Sequence, residues 1–151
     1  MRLQLSVQYG VARAGLPAES ALRRWAHAAL TGLRRRRVTL GLRIVGMAES
    51  ASLNSRFRRR RHPTNVLSFP FEAPPGTRSD LLGDLVICAP VVRREARTQR
   101  KTTDAHWAHM VIHGILHLRG YDHRKRQDAL VMERMEIRLL KELGYANPYI
   151  Q

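Results

Sequence analysis

The segment LLGDLVIC, residues 81–88, most constrains the fold of this chain, because it is apolar at nearly every position. Such a run is typical of a β-strand that is buried on both faces, here interrupted by Asp84. Other elements must therefore cover the sheet that contains this strand, and the segments after it carry helical patterns. This combination predicts an α+β fold, in which helices pack against a small sheet.

Apolar periodicity gives the remaining elements. Three further strands are predicted at residues 2–9, 38–45 and 65–69, and helices are predicted at about 17–33, 48–57, 90–101, 103–120 and 126–143. The fourth of these helices is expected to begin near Thr103 as its N-cap and to end at Gly120. The chain of 151 residues is therefore predicted to form one domain, residues 1–151. Its mixed β-sheet should contain about four strands packed against about five helices.

Composition points to an anionic partner. The chain has 27 Lys and Arg residues against 12 Asp and Glu residues, a formal net charge of +15. A field of this sign attracts polyanions, so nucleic acid is the first candidate partner and an anionic membrane surface the second. The alternative is a basic composition inherited from an arginine-rich genome, because charge alone identifies no site. Aromatic residues are few, and the sequence gives no indication of an extended base-stacking platform.

The cysteine content and the apolar runs suggest a location. Cys88 is the single cysteine, so no internal disulfide is possible, which fits a reducing compartment. The first ten residues alternate polar and apolar side chains and lack the apolar core of a signal peptide. No apolar stretch approaches the roughly 20 residues that span a bilayer. A cytoplasmic protein without a membrane segment is expected.

Three of the seven histidines fall in HGILHLRGYDH, residues 113–123. His113 and His117 are four residues apart on a predicted helix, which places both on the same face. Gly120 ends this helix and lets the chain reverse, so that His123 returns toward the same point. Three neutral imidazoles that leave a fourth position open are typical of a catalytic zinc site. Three unrelated histidines are the alternative, which the spacing disfavours.

The neighbours of this cluster have simpler alternative roles. Asp122 is a candidate acceptor for the N–H of a ligand imidazole. It is equally suited to be a turn residue. His106 and His109 lie on nearly the same helix face, and they are interpreted as helix-packing residues or as hydrogen-bond partners of the ligands.

The spacing H-x-x-x-H-x-x-G-x-x-H is also that of the metzincin zinc proteases. In those enzymes a glutamate follows the first histidine and acts as the general base. Gly114 occupies that position here. The sequence therefore preserves a metal-binding pattern and lacks the proteolytic base.

Several stretches together resemble the YbeY family of bacterial metal-dependent endoribonucleases, which mature small-subunit ribosomal RNA. They are LNSRFRRRRHPTNVLSFPFE (53–72), LLGDLVIC (81–88), HWAHMVIHGILHLRGYDH (106–123) and ELGYANPYI (142–150). The resemblance extends from about residue 38 to the C-terminus and implies one zinc ion on His113, His117 and His123, carried by a zincin-like helix. It also implies a functional arginine, which the pattern N-x-x-[FY]-R places at Arg58.

The resemblance further implies an activity and partners. The expected enzyme is a single-strand-specific endoribonuclease for the 3′ end of 16S ribosomal RNA, with a role in ribosome quality control. Zinc-bound water or an RNA hydroxyl would attack, while Arg58 stabilises the phosphate. Expected partners are ribosomal RNA and the small ribosomal subunit, with a ribosomal protein or a GTPase as a further partner of a monomeric chain.

Two segments are more basic than is usual in the family, namely RRRR at 58–61 and RKRQDALV at 124–131. Both differences are expected to alter RNA affinity and specificity. The arginines other than Arg58, including Arg34 to Arg37 and Arg59 to Arg61, are expected to guide the RNA backbone without reading its sequence. Two rival functions are left open by the residues themselves. One is a metalloprotease, which Gly114 disfavours, and the other is an RNA-binding protein with a structural metal ion. Ligand identity alone does not separate zinc from nickel or copper.

Overall fold

A computed structural model describes residues 1–150. Its elements in chain order are β1 (Arg2–Tyr9), α1 (Glu19–Ala29), β2 (Arg37–Val45), α2 (Met47–Arg58), β3 (Val66–Pro70), β4 (Leu81–Cys88), α3 (Ala89–Thr98), α4 (Thr103–Leu118) and α5 (Arg126–Glu142). This confirms the predicted mixed α+β architecture of a four-stranded sheet with five helices. Across residues 1–150, no helix combines the length and the apolarity that crossing a membrane requires.

The sheet has the strand order β1-β2-β4-β3. β1, β2 and β4 run parallel, with Leu5 opposite Leu40 and Leu42 opposite Leu85. β3 lies at an edge and runs antiparallel to β4, with Ser68 opposite Leu85. The sheet is therefore mixed, as predicted, and its antiparallel edge strand borders the candidate site.

The main core lies between the sheet and α4. This helix contacts α1, α3, α5 and the strands β3 and β4. One apolar cluster contains the buried side chains of Trp107 and Ile112 of α4, Trp25 of α1 and Leu40 of β2. Burying one such side chain stabilises the fold by about 1.5–3 kcal/mol. The helix that carries two of the candidate ligands is therefore anchored in the main core.

The opposite face of the sheet is covered only in part. α2 lies over it, contacts β4 and α3, and is held to β2 by an ion pair of 2.6 Å between Arg43 and Glu49. Asp84 is exposed on this face, while Cys88 is buried at the end of the same strand. The prediction that residues 81–88 are buried on both faces is therefore only partly correct. Gly41, opposite Asp84, leaves room for this carboxylate, because a Cβ at position 41 would meet its oxygen.

The predicted helix ends shift by a few residues. α4 is capped by Thr102 rather than Thr103, since the Thr102 hydroxyl accepts the N–H of Ala105 at 3.1 Å. α3 ends before the predicted residue 101, and the chain then passes through Arg100 in the left-handed region, with φ of 56°. These ends depend on local hydrogen bonds, which periodicity does not report.

Candidate metal centre

The structure brings His113, His117 and His123 together. The centroids of their rings are 4.7 Å apart for His113 and His117, 4.8 Å for His117 and His123, and 5.8 Å for His113 and His123. One ring nitrogen from each lies within 4.8 Å of the other two. Helix α4 therefore presents two imidazoles to one point, and the loop after it returns the third, as the spacing indicates.

The reversal that returns His123 is built from backbone hydrogen bonds. Gly120 has φ of 98°, a conformation that residues with a Cβ rarely adopt, and its N–H donates to His117 O at 3.0 Å. The N–H of Tyr121 donates to Leu116 O at 3.0 Å, which closes the helix end. The turn is therefore a fixed structure, and the position of His123 follows from it.

Asp122 stabilises the same turn. Its carboxylate accepts the backbone N–H groups of His123 at 2.7 Å and Arg124 at 3.3 Å. The hydrogen bond from the backbone N–H of His123 lowers the pKa of this carboxyl. Of its two predicted roles, the structure shows the turn residue. Within residues 1–150, Asp122 accepts no hydrogen bond from an imidazole of the three-histidine cluster.

The partner of the cluster is instead Glu136, a fully buried carboxylate on α5. Its Oε1 atom accepts from His113 Nδ1 at 2.8 Å and from His109 Nε2 at 3.2 Å. Its Oε2 atom accepts from the Tyr149 hydroxyl at 2.6 Å. Burial raises the pKa of Glu136, but the hydrogen bonds from His109 and His113 outweigh it and lower the pKa to about 2. The group therefore remains a carboxylate at neutral pH.

This carboxylate fixes the tautomer of His113. A carboxylate only accepts hydrogen bonds, so His113 must donate from Nδ1, which leaves the lone pair on Nε2. Such carboxylate partners orient metal-ligating histidines and raise their basicity. Burial and the neighbouring His113 and His123 lower the pKa of His117 to about 4, so its imidazole is neutral at pH 7. His117 is thus in a form that binds a cation, and the tautomer that Glu136 selects for His113 presents Nε2 to the same point.

A second group of donor atoms overlaps the first. His109, His113 and Glu136 also have ligand atoms within 4.8 Å of one another. Direct hydrogen bonds join these three residues, so the same atoms are already used within the protein. We therefore interpret this group as the support of His113. His109 was predicted to be a packing residue or a hydrogen-bond partner of a ligand. The structure links it to His113 indirectly, because both imidazoles bond to the Glu136 carboxylate.

The three imidazole nitrogens fit a transition-metal ion. Imidazole is a good ligand for zinc, copper, nickel and iron, and three histidines are a known set for catalytic zinc. Nothing in the donor set distinguishes among these ions. The residues present are therefore suited to hold a metal at His113, His117 and His123.

Arg58 lies on the same cleft as the histidines. This cleft has a volume of about 780 Å³ and is lined by Phe57, Arg58, Thr64, Asn65, Val66, Leu67, Ser68, Phe69, Pro70, His113, His117, Gly120, Tyr121, Asp122, His123 and Arg124. Arg58 is the last residue of α2 and is exposed. Buried Asn54 holds the loop after it by donating to His62 O at 2.7 Å. The structure thus places Arg58 and the three predicted histidine ligands in the lining of one cleft.

Asn65 in the wall of the cleft belongs to a second, half-buried hydrogen-bond network. Its amide nitrogen donates to Glu95 Oε1 at 3.1 Å, and its oxygen accepts the N–H of Val66 at 2.6 Å. Glu95 also contacts buried His106, at 2.9 Å. Burial raises the pKa of Glu95, but its hydrogen bonds to His106 and Asn65 lower it overall. His106 therefore supports the strand beside the cleft and does not join the three histidines.

Sequence reasoning missed Glu136 and Tyr149. Glu136 is 23 residues from His113, so no short motif connects them. One signal was present: Glu136 lies on the apolar face of α5, with Met132 four residues before it and Leu139 and Leu140 after it. A carboxylate on a buried helix face requires a partner, which makes such a residue a candidate for a functional network.

Comparisons with known proteins give matches over most of the chain. The family model described as Endoribonuclease YbeY matches residues 14–144. A relative from Alkalilimnicola ehrlichii, named Endoribonuclease YbeY, is 58% identical over 151 aligned residues, which cover 97% of this chain and 91% of the relative. A relative of the same name from Methylococcus capsulatus is 55% identical over 134 residues, 89% of this chain and 87% of the relative.

A solved structure supports the fold. The solution structure of TM1509 from Thermotoga maritima superposes with a TM-score of 0.59 at 23% identity, covering 98% of this chain and 100% of that chain. Because the family model spans most of the sequence and the two relatives are 58% and 55% identical to it over the aligned residues, this chain belongs to the YbeY family.

Proposed function

We propose that this chain is a metal-dependent endoribonuclease that cleaves single-stranded RNA. One observation carries the proposal, namely that three convergent imidazoles and an exposed arginine line a single cleft. The relatives from A. ehrlichii and M. capsulatus are named endoribonucleases, which supports the same reaction class. The net charge of +15 supports a polyanionic substrate.

The residues have separate roles in this reaction. His113, His117 and His123 hold the ion, for which zinc is proposed, and Glu136 orients His113. A bound metal of this kind polarises a phosphoryl oxygen and lowers the pKa of water toward about 7. Arg58 binds the scissile phosphate and stabilises the negative charge that develops on its oxygens. These roles assign metal binding and charge stabilisation to different elements, α4 with its loop and α2.

The biological setting is proposed from the family. The substrate is the 3′ end of 16S ribosomal RNA, and the enzyme acts in its maturation and in ribosome quality control. We propose that residues 1–151 work as one cytoplasmic domain on the small ribosomal subunit, as a monomer with a ribosomal protein or a GTPase as partner. The metal-bearing helix is proposed to be zincin-like, because it carries two histidines four residues apart.

The proteolytic alternative is disfavoured by the position of Gly114. This residue is buried, and a Cβ there would meet Leu85 Cδ2 at 2.7 Å and Val66 Cγ2 at 3.1 Å. Position 114 thus faces the sheet, and it offers no base for peptide hydrolysis.

Cleavage of structured ribosomal RNA, with mapping of the product ends, tests the proposal. Arg58→Gln should lower kcat by about 10²- to 10³-fold, because a donor to the developing charge is lost. Arg56→Gln, on the same helix but outside the cleft lining, is the matched control and should retain activity.

Chelation separates a catalytic ion from a structural one. We expect the metal-stripped protein to lose cleavage, to keep its helical circular dichroism and to recover activity with added zinc. Full cleavage without metal would contradict the proposal, and global unfolding on chelation would support a structural ion instead.

A further inference from the structure

We propose that Phe57 and Phe69 form a stacking site for one unpaired nucleobase, beside the phosphate that Arg58 binds. The inference rests on the proposed function and adds a base-binding site to it. The low aromatic content of the sequence gave no indication of such a site. The structure, however, gathers two of the three phenylalanines of the chain at the candidate cleft.

The first observation is the exposure of Phe57. Phe57 is 58% exposed, more than any other Phe, Trp or Tyr residue of the described chain. It lies in the last turn of α2, outside the main apolar cluster. An exposed phenylalanine next to a functional arginine presents an apolar ring to a molecule that carries phosphate.

The second observation is that the Phe57 ring is held in place. Its centroid is 5.2 Å from that of Phe69, with an angle of 75° between the ring planes. Such an edge-to-face contact is a favourable geometry for two aromatic rings. Phe69 is itself fixed on the edge strand β3, opposite Asp84 of β4. The pair therefore offers an ordered ring surface, which reduces the entropy that binding would otherwise cost.

The third observation is the position of the pair between two depressions. Phe57 and Phe69 line the cleft of about 780 Å³ that contains the three histidines. They also line a neighbouring groove of about 500 Å³, which runs over the outer face of the sheet. A single-stranded RNA that extends from the histidine cleft into this groove must pass the two phenylalanine rings. Arg58 follows Phe57 in the chain. Two consecutive residues can therefore bind neighbouring parts of one RNA, Arg58 the phosphate and Phe57 the adjacent base.

Charge favours RNA over a protein segment as the occupant. The loop after α2 adds Arg59, Arg60 and Arg61, and these residues and Arg58 form no ion pair within residues 1–150. Sites for single-stranded nucleic acid combine positive charge, which binds the anionic backbone, with aromatic rings, on which the bases stack. The arginine loop and the phenylalanine pair provide this combination. An apolar protein segment would use the rings but not the charge.

Binding of a single-stranded 2′-deoxy oligonucleotide to the metal-loaded protein tests the site. Phe57→Ala should weaken binding about tenfold, in the range that the loss of one base–aromatic stack produces. Phe57→Tyr and Phe57→Trp should retain affinity, because the ring is kept. The matched control is Phe71→Ala, which removes an exposed phenylalanine outside both depressions and should leave affinity unchanged.

An abasic scan supplies a readout that a purely structural role would not move. Removing one base at a time from the oligonucleotide should weaken binding to the wild type most at a single position. In Phe57→Ala, removing the base at the same position should not lower the binding affinity further, since the stacking ring is already absent. In Phe57→Trp, binding of the intact oligonucleotide should quench the new indole fluorescence, and the abasic version should not.

The outcomes separate this inference from the proposed function. If the wild type cleaves RNA but Phe57→Ala binds as tightly as Phe71→Ala, the stacking site is wrong and the nuclease proposal stands. If the wild type neither binds nor cleaves RNA, the nuclease proposal is wrong, and the stacking site that rests on it is wrong as well. Loss of binding to a ribosomal protein in Phe57→Ala, with oligonucleotide affinity intact, would identify a protein-docking surface and overturn the inference.

Discussion

Glu136 is the residue that connects the core to the candidate metal centre. It accepts hydrogen bonds from His113 and His109, and Tyr149 donates to it from the C-terminal segment. Burial and the bond to Glu136 raise the pKa of Tyr149, so its hydroxyl remains a donor. A fully buried carboxylate without partners would be strongly destabilising, and three donors remove that cost. The orientation of the His113 imidazole is therefore set by the core.

Replacing Glu136 with glutamine should weaken metal binding. Glutamine is similar in shape, but it removes the negative charge and turns an N–H₂ group toward the imidazole donors. We expect Glu136→Gln to lower zinc affinity 10- to 100-fold, the usual effect of losing such a partner. Competition with a chromophoric chelator measures the affinity, and Glu142→Gln, at the exposed end of the same helix, is the control. Unchanged affinity in a folded Glu136→Gln protein would contradict this role.

The site was predictable from sequence to the extent that it is local. The three histidines lie within eleven residues, and their convergence follows from helix geometry and from the turn at Gly120. Arg58 could not be separated from its neighbouring arginines by composition, and only the family resemblance selected it. Glu136 was not found, because its contact with His113 depends on how α5 packs against α4, which no local pattern reports.

At the scale of elements, the strands and helices were predictable and their arrangement was not. Each segment has its own periodicity, so β1, β2 and α5 were found close to their observed limits. The strand order β1-β2-β4-β3 depends on contacts between distant segments. The exposure of Asp84 likewise depends on α2 covering only part of the outer face, which the apolar run in β4 could not reveal.

The close approach of α4 to the sheet leads to a prediction for Gly114. A Cβ at this position would meet Leu85 Cδ2 at 2.7 Å, so Gly114→Ala overpacks the core, at a cost of about 1–3 kcal/mol. The higher helix propensity of alanine offsets about 1 kcal/mol of that cost. We therefore expect a net loss of about 1 kcal/mol in the free energy of unfolding, measured by urea denaturation.

A double variant checks the cause of this loss. Leu85→Val shortens the side chain that would collide with the new Cβ. In this background, Gly114→Ala should cost clearly less than it does alone, because neighbouring changes are not additive. Strict additivity of the two effects would show that the contact with Leu85 is not responsible.

At the scale of the whole molecule, positive charge is in large excess and is rarely paired. Within residues 1–150, the arginine ion pairs are Arg43 with Glu49 and Arg124 with Asp122, against 27 basic residues in the chain. Most of the arginines therefore contribute to a long-range field instead of stabilising the fold. Such a field attracts RNA to the surface without selecting a sequence. Selection must then come from the cleft, where the histidines, Arg58 and the phenylalanine pair lie together.

If most arginines act at long range and Arg58 contacts a phosphate in the cleft, RNA binding should depend on salt in a particular way. Binding of a single-stranded oligonucleotide should weaken linearly on a log–log plot against salt, with a slope of about −0.7 for each phosphate contact. Arg58→Gln should reduce the magnitude of that slope by about 0.7, since one contact is lost. Arg97→Gln, on α3 and outside the cleft lining, changes the net charge equally and should leave the slope nearly unchanged. Titrations between 50 mM and 200 mM salt would measure both slopes. A flat response of the wild type would show that binding involves no phosphate contacts. An equal decrease of the slope in the two variants would show that Arg58 acts through net charge and does not contact a phosphate.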